Sequence, residues 1–342
     1  MTARGDAMKA VIVPNPGGAF AVTERAVSDP PQGTVRLKVR ACGVCHSDAF
    51  VTEGHWPGIS YPRVPGHEVA GVVDAVGAGV EGWKAGDRAG IGWHGNHCGV
   101  CESCRHGDFI NCARLEITGM SFDGGYQQYM IAPARGLARI PEALSFAEAA
   151  PLLCAGVTTF NALRHSGALP GDLVAVHGIG GLGHLALQFA RHFGFNVIAI
   201  SRGKDKEELA LRLGAHRYLD TESANAAEEL MRLGGARVIV ATAPHSRAIS
   251  PLINGLGRNG TLLAIAGTMD PIEVSPGQLI GNRRSIQGWP SGTSRDSEDT
   301  MNFCALAGIR PMIEEFALED AAKGYEQMIS GRARFRVVLV NG

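Results

Sequence analysis

The sequence predicts an α/β protein in which a doubly wound domain with a parallel sheet, residues 153–292, interrupts a β-rich domain made of residues 1–152 and 293–342. Three observations carry that prediction. The residue pattern changes near Pro151, a G-x-G-x-x-G segment sits between a strand-like and a helix-like run, and the chain closes on the alternating apolar run RFRVVLV. A chain of 342 residues exceeds one ordinary core and suits two domains.

The first half is built from short β-branched runs punctuated by glycine and proline, such as VRLKVRACGVC and EVAGVVDAVGAGV, which read as strands and loops. From Pro151 onward the apolar runs DLVAVHG, NVIAI, ARVIVATA and TLLAIAG are mostly separated by stretches of helical spacing. That alternation is the pattern of βαβ units around a buried parallel sheet. RFRVVLV reads as a strand that returns to the first domain.

The balance of residues narrows the function classes. Hydrophobic residues make up 45% and charged residues 19%, with 46 glycines, as in a compact α/β enzyme and unlike a disordered or fibrous chain. A net charge of -1 gives nothing to steer the protein toward nucleic acid or an anionic membrane. The start, MTARGDAMKAVIV, has no apolar signal core, and no run approaches the roughly 18 apolar residues expected of a membrane span. A cytoplasmic protein with neither a membrane nor a nucleic-acid partner is therefore expected.

Six of the eight cysteines fall between Cys42 and Cys112, which in a reducing compartment reads as metal binding rather than a disulfide framework. Cys98, Cys101, Cys104 and Cys112 follow C-x2-C-x2-C-x7-C inside a lobe spanning 94–113. Four thiolates so closely spaced can close a tetrahedron around zinc and leave no place for substrate, which marks a structural site. An iron–sulfur cluster would take the same ligands, but the rest of the chain offers no electron-transfer context. Cys304, alone in an apolar stretch, reads as a buried thiol. A second set is dispersed: Cys45 in ACGVCHSD, His67 and Glu68 in VPGHEVAG, and Cys154 in PLLCAGVTTF. Spacing alone does not join them.

Gly178, Gly180, Gly181, Leu182 and Gly183 lie in the G-x-G-x-x-G segment, after a strand-like run and before a helix-like one. That context is the Rossmann dinucleotide fingerprint: glycine permits the turn, backbone N–H groups approach the pyrophosphate, and the helix N-terminus favours its charge. The next strand ends at Ser201-Arg202, where a free ribose 2′-hydroxyl would normally meet an acid. Arg202, with Lys204 or Lys206 nearby, suits a 2′-phosphate, so NADP is expected ahead of NAD. Asp205, Glu207 and Glu208 also allow these to be solvated charges opening a surface helix.

Taken together, GVCHSD, GHEVAG, the four-cysteine lobe, DGGYQQY, LLCAGVTTF, GIGGLGH and GRARFRVVL resemble, nearly end to end and in order, the zinc-containing medium-chain alcohol dehydrogenases of the short bacterial and yeast-like branch. The resemblance implies a GroES-like catalytic domain around the Rossmann domain. It further implies two zinc ions per chain and reversible hydride transfer between NAD(P) and a small-molecule alcohol or aldehyde. Cys45, His67 and Cys154 would hold the catalytic zinc, with Glu68 as alternate ligand and Asp48 fixing the histidine tautomer. Ser47 would carry the substrate proton, His46 and Arg336 would meet the cofactor phosphates, and Thr158 would border the nicotinamide. Trp56 and Trp93 would wall the substrate pocket, favouring primary, small or aromatic alcohols. Phe50 stands where many relatives have a histidine, which leaves His55 as a possible proton outlet and aldehyde reduction as the expected direction. By the same analogy the chain is expected to form a dimer or tetramer. The rival readings are a zinc- and nucleotide-binding protein without activity, and the same fold acting on a polyol.

Overall fold

The computed structural model describes residues 7–268 and 270–342, so the first six residues of the expected N-terminal domain lie outside the described residues. The chain divides into two compact units, Met1–Val157 with Ser291–Gly342, and Thr158–Pro290. The division falls a few residues beyond the expected 152/153 boundary. No breaker marks it, because the helical segment Phe146–Arg164 passes through it without a loop.

In the first unit the strand Thr34–Val44 lies at the middle of a seven-stranded sheet. Its burial alternates along most of its length, as expected of a strand with one face on the core. It pairs antiparallel with Val69–Val76, with Tyr129–Pro133, and with Arg336–Val340, the returning strand of the closing run. Leu37, Val39, Val69, Val73, Ile91, Met130 and Val337 fill the core beside it.

Phe146–Arg164 corrects one expectation. At 19 residues it is long and apolar enough to cross a bilayer by length and composition, yet 78% of its apolar window is buried inside the protein. Its apolar surface serves a core. It opens at Ser145, whose Oγ accepts from the Glu148 N–H at 3.2 Å while the Glu148 carboxylate accepts from the Ser145 N–H at 2.8 Å, a reciprocal cap.

The second unit holds a six-stranded parallel sheet. Its order is Arg217–Asp220, Asn196–Ser201, Leu173–His177, Ala236–Ala241, Leu256–Ala264, Ser285–Gly288. The order reverses between Leu173–His177 and Ala236–Ala241, the switch point where doubly wound folds bind ligands. Leu173–His177 is buried along its whole length, which is why it reads as a continuous apolar run.

His177 ends that strand and is itself buried, with its Nδ1 lacking a partner among the described residues. Burial, with a contribution from His245, pushes its pKa down to about 4. An unfolded histidine titrates near 6.5, so as pH falls from there the unfolded chain takes up a proton that the folded one refuses. Stability is therefore lost between pH 6.5 and about 4. At pH 4.5 the expected loss from this residue is about 2 to 3 kcal/mol relative to pH 7, readable by urea unfolding at the two pH values. His177→Gln should remove that share; an equally steep acid decline in the variant would assign it elsewhere.

Candidate metal centres and dinucleotide turn

Cys45 stands where Thr34–Val44 ends and the tight turn His46–Asp48 begins. The turn brings Asp48 back under its own start. The Asp48 N–H donates to the Cys45 carbonyl at 3.0 Å, and the Cys45 N–H donates to Asp48 Oδ2 at 2.9 Å. His67 lies two residues before the adjoining strand of the same sheet, so strand pairing carries it to Cys45. Cys154 lies in a π-helical turn, Leu152–Gly156, directly after Pro151, which cannot donate to the helical ladder. Leu152 and Leu153, both fully buried, fix that turn in the interior.

These elements gather Cys45, His67, Glu68 and Cys154 so that one ligand atom from each lies within 4.8 Å of all the others. Cys45 Sγ and Cys154 Sγ are 3.9 Å apart. Two sulfurs on one tetrahedral zinc, each at 2.3 Å, would lie about 3.8 Å apart. His67 Nδ1 donates to Asp48 Oδ1 at 3.1 Å, which leaves Nε2 buried and without a partner among the described residues. An unpartnered buried nitrogen beside two sulfurs at this separation suits a zinc ion. The hydrogen bond from Cys154 holds the Cys45 thiol well below its usual range against the opposing effect of burial, with His67 and Arg336 assisting. That favours the thiolate a metal requires.

Glu68 and Arg336 form a buried pair that sequence reasoning missed. Arg336 Nη2 donates to Glu68 Oε1 and, at 3.2 Å, to the Val44 carbonyl. The partners are 268 residues apart in sequence, so no local signal joins them. Burial pushes the Glu68 carboxyl up to about 7 despite the guanidinium beside it. Arg336, expected at the cofactor phosphates, is thus buried against the metal cluster, while its Nε has no partner among the described residues.

The four-cysteine lobe is the second cluster. Cys98, Cys101, Cys104 and Cys112 offer sulfurs within 4.8 Å of one another, at 3.6 Å for Cys98–Cys112, 3.9 Å for Cys101–Cys112 and 4.0 Å for Cys98–Cys104. Backbone N–H groups of Cys101 and Arg114 donate to sulfur at 3.3 Å. Such N–H groups, from Val100 and Cys101, draw Cys98 down to about 5. No disulfide occurs among the described residues, so these are free thiols ready for metal.

Beside His67 runs a chain of aromatic rings. Trp93 meets the His67 ring edge-on at 5.1 Å, Trp56 meets Trp93 at 6.1 Å, and Phe50 meets Trp56 at 5.6 Å. Ser47 is half-buried and His46 exposed on the turn after Cys45. His55 is exposed, with Nδ1 3.2 Å from Glu53 Oε2.

In the second unit, Gly178 adopts φ +91°, a conformation that favours glycine, and the helix Gly183–His192 starts at the third glycine of the motif. A β-carbon on Gly183 would overlap the Gly178 carbonyl, whereas one on Gly180 would meet nothing within 4 Å. The first fact packs the helix onto the strand, and the second leaves room for a pyrophosphate against bare backbone. Gly181 and Leu182 complete this turn, and Thr158 is buried elsewhere in the same unit. Lys206, expected near the ribose, donates from Nζ to the Ile179 carbonyl at 2.9 Å and so braces the turn. Ser201 closes its strand, and Arg202 is 84% exposed with Nε 3.8 Å from Glu222.

Two family models match the chain: the alcohol dehydrogenase GroES-like domain over residues 31–142 and the zinc-binding dehydrogenase over residues 181–305. The chain is similar to alcohol dehydrogenase patD of Penicillium expansum, 46% identical over 97% of each sequence. It is also similar to an alcohol dehydrogenase of Geobacillus stearothermophilus, 37% identical over 97% of this chain and 99% of the other. Among solved structures, a cinnamyl alcohol dehydrogenase of Sorghum bicolor superposes with a TM-score of 0.88 at 30% identity, covering 98% of each chain.

Proposed function

From its membership of the zinc-dependent medium-chain alcohol dehydrogenase family, which makes this chain an alcohol dehydrogenase, we propose the residue roles, the cofactor and the substrate class that follow. One observation carries the reading of the reactive centre: the buried convergence of Cys45, His67 and Cys154, with His67 Nε2 turned to the sulfurs. When bound there, zinc supplies the Lewis acidity that makes an alcohol acidic near neutral pH, and the nicotinamide supplies the hydride acceptor.

The remaining tasks fall to the protein. Asp48 holds His67 in the tautomer that presents Nε2. Ser47, on the turn after Cys45, takes the substrate proton at Oγ. Phe50 occupies the position three residues further on, so no imidazole follows there and the proton passes on through water or His55. Glu68, tied to Arg336, stands ready as the alternate ligand. Phe50, Trp56 and Trp93 exclude water and select flat or small apolar groups, which supports a primary alcohol or its aldehyde. Cys98, Cys101, Cys104 and Cys112 take a second, structural zinc. Gly178, Gly180, Gly181, Leu182 and Gly183 form the dinucleotide turn, with His46 and Thr158 as further cofactor contacts.

The cofactor is NADP, and the working direction is aldehyde reduction. Support comes from Ser201-Arg202: the strand ends without a carboxylate, and the Arg202 guanidinium is exposed. Its ion pair with Glu222 is an exposed one of the kind that contributes little, so it can be exchanged for a phosphate. A homo-oligomer in the cytoplasm completes the proposal. A panel of primary, aromatic and polyol substrates run with both cofactors tests it. NADPH should give the higher kcat/KM, and Arg202→Ala should lower kcat/KM for NADPH roughly 10- to 100-fold while leaving NADH nearly unchanged. A preference for NADH in the unmodified enzyme would refute the assignment.

A further inference from the structure

DGGYQQY, residues 123–129, has no role in the chemistry described so far. Its backbone lies directly on the loop that delivers His67. The Gly124 N–H donates to the Val64 carbonyl at 2.7 Å, the Gly125 N–H to Gly66 at 2.9 Å, and the Tyr126 N–H to Pro65 at 3.1 Å. A β-carbon on Gly124 would overlap the Gly66 carbonyl, and one on Gly66 would overlap the Tyr126 ring. The glycines of the two motifs therefore let one loop lie against the other, with the tyrosine ring held between.

The ring is fully buried, and its hydroxyl reaches Asp48 Oδ2 at 3.0 Å. Asp48 is itself buried and accepts three hydrogen bonds from three separate segments. His67 Nδ1 donates to Oδ1, and the Cys45 N–H and the Tyr126 hydroxyl donate to Oδ2. A buried hydroxyl needs only some acceptor, and a carbonyl would serve. Here it meets a carboxylate, which makes the bond charge-assisted and fixes the plane of the group that orients His67.

We propose that Tyr126 is a positioning residue of the metal centre: by pinning Asp48 Oδ2 it sets the angle of the His67 ring and limits how strongly Asp48 pulls on the imidazole N–H. The proposal rests on the reading of Cys45, His67 and Cys154 as zinc ligands. Removing the hydroxyl leaves Oδ2 with one donor. Asp48 then pulls harder on His67, and the ring becomes a stronger and less well aimed donor to metal.

The test uses the holoenzyme with cobalt(II) exchanged into the catalytic site, in three forms: unmodified, Tyr126→Phe, and with 3-fluorotyrosine at position 126. In Tyr126→Phe the cobalt ligand-field bands should move to shorter wavelength, and kcat of the zinc form should fall roughly 3- to 10-fold with KM within about twofold. This is less than the 10- to 100-fold typical of losing a direct hydrogen-bonding partner of a ligand. Fluorotyrosine, a more acidic phenol and better donor, should move the bands the opposite way. It also keeps the hydroxyl, so it carries the test if Tyr126→Phe fails to fold. Bands and kcat unchanged in both variants would overturn the proposal. Absence of a thiolate-to-cobalt charge-transfer band in the unmodified protein would instead overturn the ligand assignment on which it stands.

Discussion

Cys45→Ser is expected to lower kcat/KM by roughly 10³-fold or more, about 4 kcal/mol of transition-state stabilisation, while zinc content falls from about two ions per chain to about one. The size follows from what the residue does. Cys45 is buried, its sulfur is 3.9 Å from that of Cys154, and a serine hydroxyl neither ionises at neutral pH nor reaches as far. The fold should survive, because the strand that ends just before Cys45 is held by pairing on both sides and Asp48 keeps its bonds from Tyr126 and His67. The melting temperature should therefore move by only a few degrees. Metal analysis and steady-state rates on the same preparation check both halves. Two zinc ions retained with near-normal activity would remove Cys45 from the centre.

Cys104→Ser should produce the opposite phenotype. Cys104 is buried in the short helix Glu102–Arg105, and it faces Cys98 within a lobe that has little core of its own. Metal binding and folding are coupled in such segments, with zinc providing on the order of 10 kcal/mol in isolated small domains. If half of that is felt by the surrounding domain, the melting temperature should drop by roughly 10 to 20 °C. Limited proteolysis should then cut within residues 98–112. Zinc should again fall to about one per chain, yet kcat at 25 °C should stay within a few-fold, because Cys45, His67 and Cys154 belong to other elements. The pair of variants separates the two metals. Each loses one ion, but one variant loses turnover and the other loses heat resistance. A Cys104→Ser protein as heat-stable as its parent would show that the lobe needs no metal.

How far the sequence could be read depended on distance along the chain. The lobe was legible from spacing because its four sulfurs lie within fifteen residues, and the dinucleotide turn because strand, glycines and helix are contiguous. The alternation of apolar runs likewise pointed to the parallel sheet. Cys45 and Cys154 are 109 residues apart, and only resemblance joined them. Nothing local announces Glu68–Arg336 or Tyr126–Asp48, since partners separated by 268 and 78 residues meet only after the sheet has formed. Lys206 reads as a partner for a ribose 2′-phosphate, because its acceptor, the Ile179 carbonyl, is a backbone atom that no residue pattern advertises. The apolar stretch from Phe146 does not read as one continuous helix because Pro151 and Gly156 interrupt it, and the π-helical turn Leu152–Gly156 begins directly after the proline.

The order of rings from Phe50 to Trp93 gives the biocatalyst engineer an unequal choice of targets. Trp93 stands edge-on against His67, so any change of its bulk is transmitted to the reactive centre. Trp56 and Phe50 lie one and two steps further out, and Trp56 is already 38% exposed. Libraries that widen acceptance toward bulkier aldehydes should therefore randomise positions 50 and 56 and leave position 93 untouched.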